Sequence, residues 1–111
     1  MSTSKSTIDF LLDMLADGGQ ISVRKMFGEY CLYYAGRPVG LVCNDQLYLK
    51  PGSAVQALVG TPQFGEPYPG ARPHLLITAD YWEDRVWLYQ LVRTVFEQLP
   101  PPKPASRKKS G

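Results

Sequence analysis

The stretch from residue 21 to residue 50 restricts the fold more than any other part of the chain. It contains four segments rich in Val, Ile, Leu and Tyr, separated only by short turn sequences. Parallel strands need a crossover of a dozen residues or more, so connections this short force neighbouring strands to pair antiparallel. The sequence predicts a meander with strands at Ile21–Met26, Glu29–Tyr34, Val39–Cys43 and Gln46–Lys50.

Helical periodicity precedes the meander. Apolar residues recur at i, i+3, i+4 and i+7 from Ile8 to Leu15, which gives the segment one apolar stripe. Ser6 and Asp9 have the spacing of a capping box at its start. Gly18-Gly19 supplies the left-handed residue that ends a helix. We therefore expect a short amphipathic helix before the first strand.

The residues after the meander predict a short helix, a loop and further strands. Ser53 can cap a brief helix that runs through Val59 and ends at Gly60. Residues 61–73 are dense in Pro and Gly, which indicates a loop, with a short edge strand near Phe64. The apolar segment from His74 to Thr78 is expected to form the last strand.

The last predicted element is a long helix. Asp80 and Glu83 have capping-box spacing at its start. Its core-facing residues are Leu88, Leu91, Val92, Val95 and Leu99. The proline run from Pro100 ends the helix, because proline cannot donate to the backbone ladder. We expect one domain over residues 1–100 and a Pro-rich, basic, disordered tail over residues 101–111.

This order of elements predicts an α+β fold. The expected architecture is a two-layer sandwich, in which an antiparallel sheet of four to six strands carries helices on one face. A net charge of +2 is too small to indicate a nucleic-acid or membrane partner by itself. No export signal is recognisable, so Cys31 and Cys43 are expected to be reduced thiols in a cytoplasmic protein.

Residues suited to catalysis or metal binding are few. The chain has one histidine, His74, and no Ser, Cys or acidic residue stands at a recognisable spacing from it. A hydrolase or transferase built on His74 and the loop Tyr68–Arg72 is a minor alternative. Two thiols and a distant imidazole do not supply the four ligands of structural zinc, and the glycines form no phosphate-binding loop. We expect a non-enzymatic protein with no metal and no cofactor.

The strands of the meander are apolar on both faces. In the second strand Tyr33 points away from Leu32, and in the fourth strand Tyr48 points away from Leu47. If helices cover the leucine face, Tyr33 and Tyr48, together with Val42, form an apolar patch on the second face. Such a patch is too large to be exposed on a monomer, and tyrosine suits interfaces. We therefore expect a protein partner to cover it, with a second copy of the chain in a homodimer as the first candidate.

Three segments carry a family resemblance. Lys25-Met26-Phe27-Gly28, Tyr30-Cys31-Leu32-Tyr33 and the sequence LVCNDQLYLK at Leu41–Lys50 resemble the N-terminal domain of the TfoX/Sxy family of bacterial competence regulators. The resemblance covers roughly residues 8–99. It implies a two-layer sandwich like that of secretion chaperones and a role in regulation through protein contacts. The family's regulators typically carry a second, helical domain that this chain lacks, so we do not expect a competence role to transfer directly.

Two sets of candidate residues follow. The candidate interaction residues are Lys25, Phe27, Gly28, Tyr33 and Tyr48. For Gly28 the favoured interpretation is structural, as a turn residue that must lack a Cβ atom. The alternative function is weak nucleic-acid binding by a transcriptional regulator. Its contacts would come from Arg24, Lys25, Arg37, Arg107, Lys108 and Lys109. These cations would neutralise only a small number of phosphates, which gives weak binding. We therefore favour protein contact over nucleic-acid binding.

Overall fold

In the computed structural model, residues 3–16, 19–26 and 29–100 are described. The helices are α1 Lys5–Met14, α2 Ser53–Val59 and α3 Arg85–Gln98, and the strands are β1 Ile21–Met26, β2 Glu29–Tyr34, β3 Arg37–Cys43, β4 Gln46–Leu49, β5 Gln63–Gly65 and β6 His74–Ile77. The strands form one antiparallel sheet in the order β1-β2-β3-β4-β6-β5. The predicted α+β fold is confirmed. None of the helices in the described ranges is long and apolar enough to cross a bilayer.

The turns of the meander follow their local chemistry. Asn44 and Asp45 have φ values of 52° and 60°, the left-handed pair that a tight hairpin needs. Strand β3 begins at Arg37, earlier than predicted, so Pro38 lies inside it. The pairing with β2 shifts there, from Leu32 opposite Gly40 to Tyr33 opposite Pro38. The shift is a β-bulge in the sheet beside a proline that has no N–H to donate.

Two of the predicted helix caps are wrong. Helix α1 starts at Lys5, because Ser4 rather than Ser6 is the N-cap and accepts a hydrogen bond from the Thr7 amide. Helix α2 starts at Ser53 itself, with Gly52 as the N-cap and no side-chain cap. Ser53 is therefore the first helical residue and not the cap.

The start of α3 also differs from the prediction. Asp80 lies in a 3₁₀ turn, and Asp84 caps α3 by accepting a hydrogen bond from the Trp87 amide at 3.1 Å. The buried Trp82 side chain explains why α3 begins later in the sequence than predicted. Its Nε1 donates to the Ile77 carbonyl at 2.9 Å, which folds the chain back on β6 before the helix can begin.

The core lies between the helices and one face of the sheet. Its buried residues are Ile8, Leu11, Leu15, Leu32, Tyr34, Val39, Val42, Leu47, Leu49, Val55, Leu75, Ile77, Trp82, Leu88, Leu91, Val92 and Val95. The expectation that Val42 belongs to the second face is wrong. Val42 pairs with Leu47, and Leu47 pairs with Ile77, so all three point into this core.

Candidate functional site

The second face of the sheet, opposite the helices, carries a row of side chains that runs across four strands. Cys31 pairs with Leu41, Leu41 with Tyr48, and Tyr48 with Leu76. Directly opposed residues in antiparallel strands point to the same side, so these four side chains share this face. It is the face on which the sequence predicts a contact surface.

Tyr48 is not exposed on that face. Only 7% of its surface is accessible, which corrects the expectation of an open tyrosine patch. A Cβ atom at Gly65 would lie 3.2 Å from Tyr48 Cε2, so β5 packs directly against the ring. The hydroxyl of Tyr48 donates to Gln46 Oε1 at 2.8 Å. Burial raises the pKa of Tyr48, and the nearby Cys43 adds to the rise. The protein's own chain covers this part of the second face.

Tyr33 lies farther along the second face and is half-buried. The guanidinium of Arg24 is 5.8 Å from the centroid of its ring, within cation–π range. A hydrogen bond with Cys31 is the main cause that raises the pKa of Tyr33. The sequence assigns Arg24 to nucleic acid and Tyr33 to a protein interface, but the structure places the two side chains together.

Both cysteines are buried free thiols. Burial raises the pKa of the Cys43 thiol to about 11, and the negative charge of Glu29 adds to the effect. A thiol with that pKa is protonated at neutral pH, and the thiolate is the form that reacts. Cys43 therefore has the character of a core residue rather than a nucleophile.

An apolar groove opens next to the buried row, between the β1–β2 end of the sheet and the loop after β5. Its lining residues are Met26, Glu29, Tyr30, Leu41, Cys43, Asn44, Pro67, Tyr68 and Pro69. Its volume is about 520 Å³, within the range of ligand and side-chain pockets. Met26 and Tyr68 are 42% and 57% exposed, although Pro67 beside them is buried. We call this site the second-face groove.

Hydrogen bonds fix the polar end of the second-face groove. The Thr3 hydroxyl lies 2.6 Å from Glu29 Oε1, and the Asn44 amide donates to the same carboxylate. Thr3 is buried, and its hydroxyl accepts a hydrogen bond from the Asp45 amide at 3.2 Å. Among the described lining residues of the groove, the charged group is Glu29, and it is therefore already hydrogen-bonded.

The β3–β4 turn also anchors the start of α1. Asp45 Oδ1 accepts hydrogen bonds from the Ser4 amide at 2.9 Å and from the Thr7 hydroxyl at 2.7 Å. These bonds favour the carboxylate and hold the pKa of Asp45 below its usual value, with the bond from the Ser4 amide as the largest cause. The beginning of the helix is thus tied to the turn that flanks the groove.

A scan against protein families matches the TfoX N-terminal domain over residues 13–99, most of the chain. The chain belongs to the TfoX N-terminal domain family. It is also 34% identical over 108 residues to an uncharacterized 12.7 kDa protein in the trpE 5′ region of Spirochaeta aurantia. That alignment covers 97% of this chain and 93% of its relative. The resemblance inferred from the Met-Phe-Gly and Leu-Tyr-Leu-Lys segments is confirmed.

The remaining candidate interaction residues of this TfoX N-terminal domain are Lys25, Phe27 and Gly28. Lys25 is exposed on β1, where it pairs with Tyr30. Phe27 and Gly28 follow β1 directly and lie outside the described residues, so their roles stay predictions. Sequence reasoning did not select Tyr68 as an interaction residue, although an aromatic side chain between two prolines was a usable signal. Prolines restrict a loop and so present the side chain between them at low entropic cost.

The cations proposed for nucleic acid do not form one strip in the described part of the domain. Arg24 faces Tyr33 on the second face. Arg37 starts β3, and its Nη2 donates to the Pro100 carbonyl at 2.6 Å, beside the end of α3. The remaining candidates, Arg107, Lys108 and Lys109, lie outside the described residues. Nucleic-acid binding remains a prediction.

His74 is oriented by its own backbone segment. Its Nδ1 lies 2.8 Å from the Arg72 carbonyl oxygen. Because a carbonyl oxygen only accepts hydrogen bonds, Nδ1 is the donor. Within residues 3–16, 19–26 and 29–100, no group of three or more His, Cys, Asp or Glu side chains is arranged to hold a metal ion.

Proposed function

We propose that this TfoX N-terminal domain is a non-enzymatic regulatory or adaptor module that works through protein contacts. Its contact surface would be the second-face groove, and its first partner a second copy of the chain. The proposal rests on a difference in side-chain exposure between two parts of the second face of the sheet. Tyr48 is covered by the protein's own β5, whereas Met26 and Tyr68 remain exposed around an apolar groove.

The chemistry of the groove favours binding over catalysis. Tyr and Met are enriched in protein interfaces, where a few large side chains contribute most of the binding energy. Glu29, the carboxylate among the described lining residues, already accepts hydrogen bonds, and the Cys43 thiol stays protonated at neutral pH. Membership of a family named for regulators supports a regulatory role.

The position of the groove supports self-association. Met26 is the last residue of β1, and β1 is an edge strand of the sheet. An edge strand has unpaired backbone donors and acceptors that can pair with another strand. A two-fold interface uses the same patch on both copies. If two copies paired antiparallel through their β1 strands, the two paired strands would lie between the apolar groove of one copy and that of the other.

Analytical ultracentrifugation over a range of concentrations tests this proposal. We expect the wild-type chain to dimerise and the Met26→Glu/Tyr68→Glu variant to sediment as a monomer with an unchanged circular dichroism spectrum. Val86→Glu is the control, because Val86 is 77% exposed on α3, away from the groove. A wild type that stays monomeric at every concentration, or a groove variant that dimerises normally, would contradict self-association through this surface.

A further inference from the structure

A second cavity, distinct from the second-face groove, lies where β4 ends, β6 begins and α3 ends. Its volume is about 360 Å³. Among the described residues, the ionisable side chains in its lining are Lys50, Arg72 and His74, and none of the described lining residues is acidic. We call this cavity the basic pocket. Neither the family match nor the proposed protein contact assigns it a role.

No described carboxylate forms an ion pair with the cations of the basic pocket. Within residues 3–16, 19–26 and 29–100, the ion pairs involve Lys5, Arg85 and Arg93. Lys50 and Arg72 thus face the cavity without a neutralising acid in the described part of the chain. Like charges that converge on one cavity repel each other, so an anion bound between them is stabilised by both.

His74 adds to the basic pocket an imidazole ring whose orientation is fixed by a hydrogen bond. Because Nδ1 of His74 donates to the Arg72 carbonyl at 2.8 Å, the ring is held in place and Nε2 is its other polar atom. When the imidazole is doubly protonated, Nε2 is a hydrogen-bond donor. The bond also couples the ring to the backbone of Arg72, a second cationic residue of the pocket.

Hydrogen bonds hold the opposite wall of the pocket. The Gln98 side chain donates to the Pro51 carbonyl at 3.2 Å and accepts from the Val55 amide at 3.4 Å. Pro100 lines the pocket, and its carbonyl accepts a hydrogen bond from Arg37, which anchors this part of the wall. Fixed walls reduce the ordering cost that a ligand would otherwise have to offset.

The geometry points to a binding site for the phosphate group of a small phosphorylated molecule. Arg and Lys are the residues that bind phosphate, arginine through its planar fork and lysine as a point charge. Here they surround one cavity, which suits a single compact dianion. A polynucleotide instead needs cations along a strip that follows its backbone. The cavity volume falls at the small end of ligand sites. This inference does not depend on the second-face groove.

Amide-resolved NMR titration with inorganic phosphate tests it, with sodium chloride at matched ionic strength as the reference. We expect saturable shifts confined to the amides of Lys50, Arg72, His74 and Gln98. Arg72→Gln and Lys50→Gln should each weaken binding by about tenfold or more, because each removes a charged hydrogen bond. Lys5→Gln, which removes an exposed cation on α1, should leave the affinity unchanged. The spectrum of each variant shows whether it is folded.

Two results would overturn the proposal. Shifts that grow linearly with phosphate and that chloride reproduces would mean general ionic screening and no site. A short single-stranded oligonucleotide provides the other arm of the test. If it binds more tightly than phosphate, shifts the Arg24 and Lys25 amides as well and shows a steep salt dependence, the ligand is a polynucleotide and the pocket is not a small-molecule site.

Discussion

A Cβ atom at Gly65 would lie 3.2 Å from Cε2 of Tyr48, so β5 rests directly on the tyrosine ring. This contact decides which part of the second face is interior. Tyr48 lies inside the fold, and the exposed apolar side chains are displaced to Met26 and Tyr68 at the groove.

Tyr48 and Tyr68 should respond differently to the same substitution. Tyr48→Glu places a carboxylate in a buried site, and we expect it to lower the free energy of unfolding by about 3–5 kcal/mol. Tyr68→Glu changes a side chain that is 57% exposed, so the loss should stay within about 0.5 kcal/mol. Urea denaturation of both variants measures the difference. Equal losses would mean that the burial of Tyr48 is not what stabilises this face.

Gly40 is a second position where close packing determines the residue. A Cβ atom there would overlap the carbonyl oxygen of Tyr48 on the neighbouring strand and lie 2.9 Å from the Leu49 side chain. Gly40→Ala should therefore cost about 1–3 kcal/mol of stability through overpacking. The matched comparison is Ala57→Gly on the exposed face of α2. It should lower the free energy of unfolding by about 1 kcal/mol through helix propensity alone, because it adds no atom that could clash. A Gly40→Ala variant as stable as the wild type would show that β3 and β4 can separate at this point.

The bonds from Ser4 and Thr7 to Asp45 predict a pH dependence of stability. The folded-state pKa of Asp45 is lowered, so its contribution is present above its unfolded pKa of about 3.9 and is lost as the pH falls through the folded value. Asp45→Asn should thus destabilise the protein at neutral pH and match the wild type in acid. Thermal midpoints across this range measure the effect. Asp80→Asn, in the exposed 3₁₀ turn, is the control. A constant gap at all pH values would contradict the ionic origin of the effect.

The thiols should be unreactive in the folded protein and countable after unfolding. Cys31 and Cys43 are both buried, and the pKa of Cys43 is raised to about 11. We expect slow modification of both thiols by a thiol reagent in native buffer at neutral pH, because both are buried and the raised pKa of Cys43 also makes its thiolate scarce. In denaturant without reductant, both thiols should be counted. A count of zero would indicate an oxidised pair and contradict the free-thiol state.

The local features of this fold could be predicted from the sequence. The bounds of β1 and β2 match the predictions, because strand-forming residue types and turn chemistry are encoded within a few residues. The cap of α1 could not be chosen in the same way. Serine suits an N-cap at either position 4 or position 6. Asp45, which is distant in sequence, selects position 4 because its side chain accepts hydrogen bonds from Ser4. A local pattern does not contain that contact.

The functional surfaces depended on long-range contacts and were harder to predict. Tyr48 alternates with leucines as an exposed residue would, and its burial comes from the approach of β5. The basic pocket joins Lys50 to Arg72 and His74 across the intervening helix and loop. The sequence alone gives His74 only a minor catalytic alternative and no binding role, because its cationic neighbours become neighbours only after β4 and β6 have paired.

Site-specific photo-crosslinking in the cells that produce the protein tests most directly whether the second-face groove is a protein contact surface. A photoreactive phenylalanine analogue at Tyr68 samples the second-face groove, and the same analogue at Tyr81, also an exposed tyrosine but packed against Trp87, is the matched control. We expect a discrete crosslinked protein species from position 68, identified by mass spectrometry as a second copy of this chain, and none from position 81. No crosslinked protein from position 68, or the same products from both positions, would contradict the claim that the groove is a protein contact surface.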